Sequence, residues 1–277
     1  MIWLLMLIFF LIALYLFAIF PRFSKKKELL KYQYVPYAHR GLHNEEYPEN
    51  SLKAFENALR HGFGIELDVQ LTKDKEVVIC HDFNLKRACG IDKEIDACTY
   101  EELCQYSLFN TEHTIPRLKD VLDLIDHQVP IIIEIKQKGI NCEICKLTAD
   151  LLDTYHDSYI VESFNPMAMH WYMKNRPQVI RGQLSSDFSK NKDVHPVMGF
   201  LFKHLCANFL SRPDFIAYDI DESHEFSFQL LKKWICSVGW TCKSEKEYEK
   251  VKNDHTYVQV TGKETFNTHS PQGNILY

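Results

Sequence analysis

The chain has 277 residues, 46% of them apolar and 13% aromatic, with 32 basic side chains against 37 acidic ones. That is enough for one sizeable core, and 25% charge with only ten Gly and ten Pro excludes a collagen-like, disordered or low-complexity chain. The net charge of −5 divides into +4 over residues 1–31 and −9 over 32–277, so the body gains nothing from counterion release and nucleic acid is excluded as its partner.

Met1 to Phe20 carries no charged side chain. As a helix at about 1.5 Å per residue this run spans roughly 30 Å, the thickness of a bilayer's hydrocarbon core. Trp3 and Tyr15 suit the interfaces, and Pro21 marks a stop. No Lys or Arg precedes the run, and its end, Leu16-Phe17-Ala18-Ile19-Phe20, is bulky, unlike a cleaved signal peptide. Residues 1–21 are read as a transmembrane anchor, 22–33 as a basic juxtamembrane linker and 34–277 as one folded domain. The basic residues after the span predict that this domain lies on the cytoplasmic side, with Lys25–Lys27 as a stop-transfer flank. Nine Cys, an odd number, suit a reducing compartment. Cys142 and Cys145 have metal-knuckle spacing, but no second pair answers them, and they read as half-buried thiols.

From Tyr32 onward strand and helix patterns alternate. Strand-like runs are Val35–His39, Gly64–Leu71, Val77–His81, Pro130–Lys136, Tyr159–Phe164, Val179–Leu184, Phe215–Ile220 and Ser237–Cys242. Most are continuously apolar, as parallel strands buried on both faces require. Ser51 caps a predicted helix closed by Gly62. Further helices are expected over Leu118–His127, Cys142–His156, Pro166–Asn175, Val197–Leu210, Glu225–Trp234 and Glu245–Lys252. Eight strands alternating with helices predict a (β/α)₈ TIM barrel. Residues 83–116 form an irregular excursion with a short helix near Tyr100–Gln105.

Four of these strand-like runs carry or end in groups that an apolar core would not choose: His39-Arg40-Gly41, Glu66 with Asp68, His81-Asp82, and Glu134 with Lys136. Residues two apart point to the same side of a strand. In a barrel the carboxyl ends of the strands converge, so these groups would line one pocket. Three carboxylates facing one axis repel unless a cation sits between them, and oxygen-only ligands favour one hard divalent ion, Mg²⁺ or Ca²⁺. Arg40 and Lys136 can share the charge of a phosphoryl group, and two His can pass a proton near neutral pH. Together these read as phosphodiester cleavage. Glycoside hydrolysis would need two carboxylates and leave the third acid and the His pair unexplained.

His39-Arg40-Gly41, Pro48-Glu49-Asn50-Ser51, Glu66-Leu67-Asp68-Val69, His81-Asp82 and Glu134-Ile135-Lys136 resemble the signature blocks of the glycerophosphodiester phosphodiesterase family. The resemblance continues through Ile115-Pro116-Arg117-Leu118 and Ser163-Phe164 to Trp240-Thr241. It implies a TIM barrel with Glu66, Asp68 and Glu134 as metal ligands and His39 and His81 as the acid/base pair. It further implies Arg40 and Lys136 at the phosphate, with Glu49 and Asn50 supporting the first loop of the substrate site. Such enzymes release sn-glycerol 3-phosphate and an alcohol from glycerophosphodiesters with a divalent ion. Trp240 reads equally as core filler or as a wall for the glycerol moiety.

The chain departs from the family pattern at Lys243, where an Asn is usual, and its closing stretch from Tyr257 shows no aspartate-bearing last turn. The large insertion of some relatives is replaced by residues 83–116. The other eleven His share no metal-ligand spacing. The leading expectation is a membrane-tethered glycerophosphodiesterase. The alternatives are lysophospholipase D or phospholipase-C-like action on membrane lipids, and a barrel that has lost catalysis and serves as a membrane-bound scaffold.

Overall fold

In Gly64–Leu71 the apolar Ile65, Leu67 and Val69 alternate with Glu66, Asp68 and Gln70. In Ile131–Ile135 the outer Ile131, Ile133 and Ile135 alternate with Ile132 and Glu134. A period of two sends the two sets to opposite faces of a strand. One set packs against helices in the outer core, and the other points into the centre of a closed sheet. This geometry is taken from a computed structural model, which describes residues 1–32, 36–155, 159–190, 194–252 and 257–261.

The strands in chain order are β1 (Tyr37–His39), β2 (Gly64–Leu71), β3 (Val77–Ile79), β4 (Ile131–Ile135), β5 (Tyr159–Ser163), β6 (Arg181–Ser185), β7 (Phe215–Asp219), β8 (Cys236–Cys242) and β9 (Tyr257–Thr261). All but β3 are parallel, and β1 pairs with both β2 and β9, which closes a (β/α)₈ barrel. The expected count of eight was right but its membership was not. Val77–His81, read as the third barrel strand, is an antiparallel ribbon on β2, with Val69 opposite Ile79. It is apolar because the 83–116 excursion covers it, packing Leu85, Ile95, Leu103 and Leu108 around Val78 and Cys80. The eighth barrel strand is β9, in the stretch the sequence left open. Val35, His156 and residues 262–277, which belonged to expected elements, lie outside the described residues.

α1 (Ile2–Ile19) precedes the barrel, and among the described residues α2 (Leu52–Arg60), α3 (Leu118–Ile125), α4 (Glu143–Leu152), α5 (Pro166–Asn175), α6 (Pro196–Lys203), α7 (Asn208–Ser211), α8 (Phe226–Leu231) and α9 (Glu245–Val251) follow the strands and surround it. Ser51 caps α2 by accepting from the Ala54 N–H at 3.1 Å, a bond whose loss costs about 1 kcal/mol. The single helix expected over 197–210 is broken between α6 and α7, where Leu205 takes a left-handed φ of 57° and the Cys206 N–H returns to the Leu201 carbonyl. No Gly or Pro marks the break.

Inside the barrel, the amino-terminal end is apolar and the carboxyl-terminal end is polar. Tyr37, Ile132, Ile160, Phe215 and Val238 fill the lower layers, and Gly182 makes room for the Phe215 ring, which a Cβ there would meet at 2.1 Å. Leu29 and Tyr32 belong to the same cluster and plug the floor from below. The segment expected as a linker is therefore folded onto the barrel: Arg22 bonds both Asp214 oxygens at 2.6 Å, and its N–H donates to the Pro213 carbonyl.

Three contacts fix the path of α1. Arg22 sits at Pro213 below the start of β7, the Ile19 carbonyl accepts from Asn208 at 2.9 Å, and Tyr15 packs beside Cys206, close to Glu225 and Ser227 above the end of β7. Read backwards from Arg22, the chain therefore climbs along the barrel wall from floor to mouth. Residues 1–14 are exposed and extend on the side of the mouth. The helix Ile2–Ile19 is long and apolar enough to cross a membrane.

Candidate active site

The polar layer is set by strand register. Asp68 on β2 is the partner of Glu134 on β4, which is the partner of Glu162 on β5, and His39 on β1 is the partner of Glu66. All four acids are buried. Carboxylate oxygens of Glu66, Asp68 and Glu134 all lie within 4.8 Å of one another. Two charges at that spacing repel by roughly 3.5 kcal/mol at an effective dielectric near 20. Two cations face them: Lys136 Nζ lies 2.7 Å from Glu134 and 3.1 Å from Asp68, and Arg40 Nε lies 3.5 Å from Asp68.

The balance is incomplete, and protonation shows where. Burial, then the neighbouring Asp68 and Glu134 charges, push Glu66 well above the usual carboxylate range. Burial also raises Glu134, with Lys136 opposing. Burial would raise Asp68 too, but Lys136, His81 and Arg40 hold it well below its ordinary value. Burial pushes Glu162 up to about 8, aided by Glu134, although Gln259 Nε2 donates to it at 3.0 Å. A hard divalent cation among the oxygens of Glu66, Asp68 and Glu134 would relieve this repulsion, and an all-oxygen donor set fits Mg²⁺ or Ca²⁺.

The first loop is built to hold these groups. Arg40 and Gly41 both take left-handed backbone, with φ of 59° and 78°. At Gly41 a Cβ would also meet the Ala54 backbone at 2.9 Å, so only glycine lets β1 turn tightly against α2. The turn aims the Arg40 N–H at Glu66 Oε2, 2.9 Å away. Asn50 bonds the Arg40 carbonyl through its N–H and Asp68 Oδ2 through its amide at 2.8 Å. Glu49 accepts from Arg40 Nη1 at 2.9 Å. Glu49 and Asn50 thus brace Arg40 and Asp68 from behind.

Burial, then Arg40, holds the His39 imidazole well below its ordinary pKa, so it is neutral at pH 7. Its Nε2 lies 3.9 Å from Glu66. His81 sits in the loop after β3 rather than at a barrel strand end, and its Nδ1 is 2.6 Å from Asp82 Oδ1. His81 and Arg87 keep that carboxylate ionised, so Nδ1 carries the proton and donates. His81 shares one cavity wall with Glu134 and Lys136. Trp240 stands at the end of β8 with its ring edge-on to Phe164, 5.6 Å between centroids, at the border between the inner core and the mouth.

Three residues here escaped the sequence. Glu162 was hidden in the apolar run Tyr159–Phe164, although its period with Ile160 marks it as inward-facing. Arg87 and Gln259 reach the site from the excursion and the last strand, and no local spacing announces them. Among the described residues Cys142 and Cys145 are free thiols; Cys142 is half-buried, whereas Cys145, also expected to be half-buried, is fully buried. Beside the acids a cavity of about 810 Å³ opens between the ends of β4 and β5 and helix α6.

Known proteins resemble this chain in sequence and in fold. A profile described as the glycerophosphoryl diester phosphodiesterase family matches residues 39–217. A glycerophosphodiester phosphodiesterase of Bacillus altitudinis is 32% identical over 57% of this chain and 69% of its own length. A human lysophospholipase D is 29% identical over 54% of this chain, a match that spans about half of the human protein. A phosphodiesterase of Oleispira antarctica, solved with the product sn-glycerol-3-phosphate, shares the fold with a TM-score of 0.67 at 22% identity, over 83% of this chain and 94% of that one. A glycerophosphodiester phosphodiesterase of Thermotoga maritima superposes with a TM-score of 0.62 at 26% identity, over 82% and 93%.

Proposed function

The chain belongs to the glycerophosphoryl diester phosphodiesterase family, and from that premise we propose that it hydrolyses glycerophosphodiesters to sn-glycerol 3-phosphate and an alcohol, using one divalent cation and two histidines. The observation that carries this reading is the meeting of Glu66, Asp68 and Glu134 within 4.8 Å at the end of the barrel that also holds His39, His81, Arg40 and Lys136.

Glu66, Asp68 and Glu134 would hold the cation, Mg²⁺ or Ca²⁺, which when bound supplies Lewis-acid polarisation of a phosphoryl oxygen. Arg40 and Lys136 balance the remaining charge of the phosphodiester. His39, neutral through burial, accepts the proton of the attacking hydroxyl, whether from water or from the substrate's glycerol. His81, held by Asp82 with Nδ1 protonated, presents Nε2 to the leaving alkoxide. Glu49 and Asn50 act by fixing Arg40 and Asp68, and Trp240 closes the wall above β8.

We place the barrel at a membrane through α1, with the barrel on the cytoplasmic side, as the basic residues after the span favour. A panel of glycerophosphodiesters assayed with EDTA, then with Mg²⁺, Ca²⁺ or Mn²⁺ restored, tests the reading. Loss of phosphomonoester release on chelation and its return with one ion are expected; activity indifferent to chelator would refute the cation's part. No release from any member of the panel would favour the scaffold reading.

A further inference from the structure

From the direction of α1 and the division of the rim into an apolar and a charged half, we infer that the mouth of the barrel, not its floor, faces the lipid bilayer. The half of the rim formed by the loop after β4, by α6 and by the start of α8 rests on the lipid. The inference rests on the reading of α1 as a membrane span and adds which face of the barrel meets the membrane. Strands run from floor to mouth, so Pro213 and Asp214, just before β7, mark the floor. Glu225 and Ser227, at the start of the helix that follows β7, mark the mouth. Arg22 is held at the floor by the bond from its N–H to the Pro213 carbonyl and by two bonds of 2.6 Å to Asp214. Tyr15 lies beside Ser227 and Glu225 at the other end. Between them Arg212 Nη1 donates to the Phe17 and Phe20 carbonyls at 3.0 and 2.8 Å, and Asn208 donates to that of Ile19. A helix held in this way leaves the barrel past the mouth. Leu29 and Tyr32 plug the floor, so the basic stretch after α1 stays at the end away from the apolar helix.

The rim beside α1 is apolar. Val197 and Phe200 on α6 are 59% and 60% exposed, Phe226 at the start of α8 is 68% and Ile140 after β4 is 81%. Val197 and Phe200 stand three apart and so share one side of α6. The other half of the mouth is charged: Glu45 after β1, Lys86 and Asp92 on the excursion over β3, and Lys243 and Glu245 after β8 are all exposed. Single exposed apolar side chains are ordinary, but their gathering on one half of a rim marks a contact face. The composition of α1 says what covers it. Ile2–Ile19 carries no charged side chain and is apolar all round rather than along one stripe, which suits a helix surrounded by hydrocarbon and not one packed on a single partner. A lipid surface that receives α1 meets the apolar half of the rim next, and the charged half is left in water.

The test reconstitutes the full chain into phosphatidylcholine vesicles containing a phosphatidylcholine with a photoactivatable diazirine in its acyl chain, and maps the adducts by mass spectrometry. Adducts are expected on α1 and on the rim peptides holding Val197, Phe200 and Phe226. The floor should stay unlabelled, and Trp234, before β8, is the internal control because it is nearly as exposed as Phe226. Phe200→Asp combined with Phe226→Asp should lower rim labelling about ten-fold, the factor for keeping one such side chain out of an apolar medium, with α1 labelling and Tm unchanged. Label on α1 with none on the rim, label at Trp234, or undiminished rim label in the double variant would overturn the assignment of the face and leave the span intact. An unlabelled rim in a chain that cross-links to itself there would give the face to a second copy and overturn it likewise. No label on α1 would overturn the span and the face with it.

Discussion

Arg87 Nη2 donates to Glu49 Oε1 at 2.7 Å, and Nε of the same guanidinium reaches the Asp82 carboxylate. Glu49 is the partner of Arg40, and Asp82 is the partner of His81. One side chain from the 83–116 excursion thus ties the Arg40 loop to the His81 loop. Arg87→Ala should lower kcat by about 10- to 100-fold, the range typical of partners that orient a site. Arg87→Lys should restore little, because an ammonium cannot bond two carboxylates as a planar fork does. Steady-state kinetics with a pH profile checks this. A lowered melting temperature with normal kcat would reduce Arg87 to a structural role.

Asn50 offers a cleaner probe of Asp68. Its φ of 58° is left-handed, so Asn50→Gly keeps the backbone and deletes only the amide that bonds Asp68. Affinity for Mg²⁺ or Ca²⁺ should fall by about 10- to 100-fold, measured by calorimetric titration. Unchanged affinity would mean that Asp68 needs no orientation from this side.

The two histidines should behave unlike the acids. His39→Ala and His81→Ala are each expected to lower turnover by about 10²- to 10⁴-fold while cation binding persists. Near-normal turnover in either variant would break the pairing.

The buried acids give stability a definite pH dependence. Glu66 and Glu134 are raised above 4.5, and Glu162 is raised to about 8. Their contribution is complete below the unfolded value and is lost as pH rises through the folded ones. Asp68 is lowered and acts in the opposite sense, only as pH falls below 3.8. His39, held low, acts in the opposite sense below about pH 6.5 but is outweighed by the raised Glu66 and Glu162, so between about pH 4.5 and 8 the metal-free chain should lose stability as pH rises. The gain in Tm from Mg²⁺ or Ca²⁺ should grow over the same window, since the ligands bind deprotonated. Glu162→Gln, which imitates the neutral acid and can still pair with Gln259, should flatten the metal-free slope. Melting curves from pH 5 to 8 decide it; a metal-free Tm that climbs across the window would contradict the assignment.

What the sequence made legible was what period and chain order encode. Glu66 and Asp68, and likewise Glu134 and Lys136, stand two apart on strands, and a barrel brings them to one end. Strand direction is not encoded that way. Val77-Val78-Ile79 reads as a barrel strand because it is apolar, yet its burial comes from the excursion folded over it. Strand β9 was missed because Gln259, which points inward to Glu162, interrupts its short apolar run. Arg87 lies 38 residues from Glu49 in the chain, and only the fold makes them neighbours.

The most direct test of the account is a titration of Mg²⁺, Ca²⁺ and Mn²⁺ into the wild-type chain and into Glu66→Gln and Glu134→Gln. The account predicts one site per chain in the wild type and affinity lowered at least ten-fold in each variant. Equal affinity in all three proteins would contradict the claim that these buried carboxylates hold the cation.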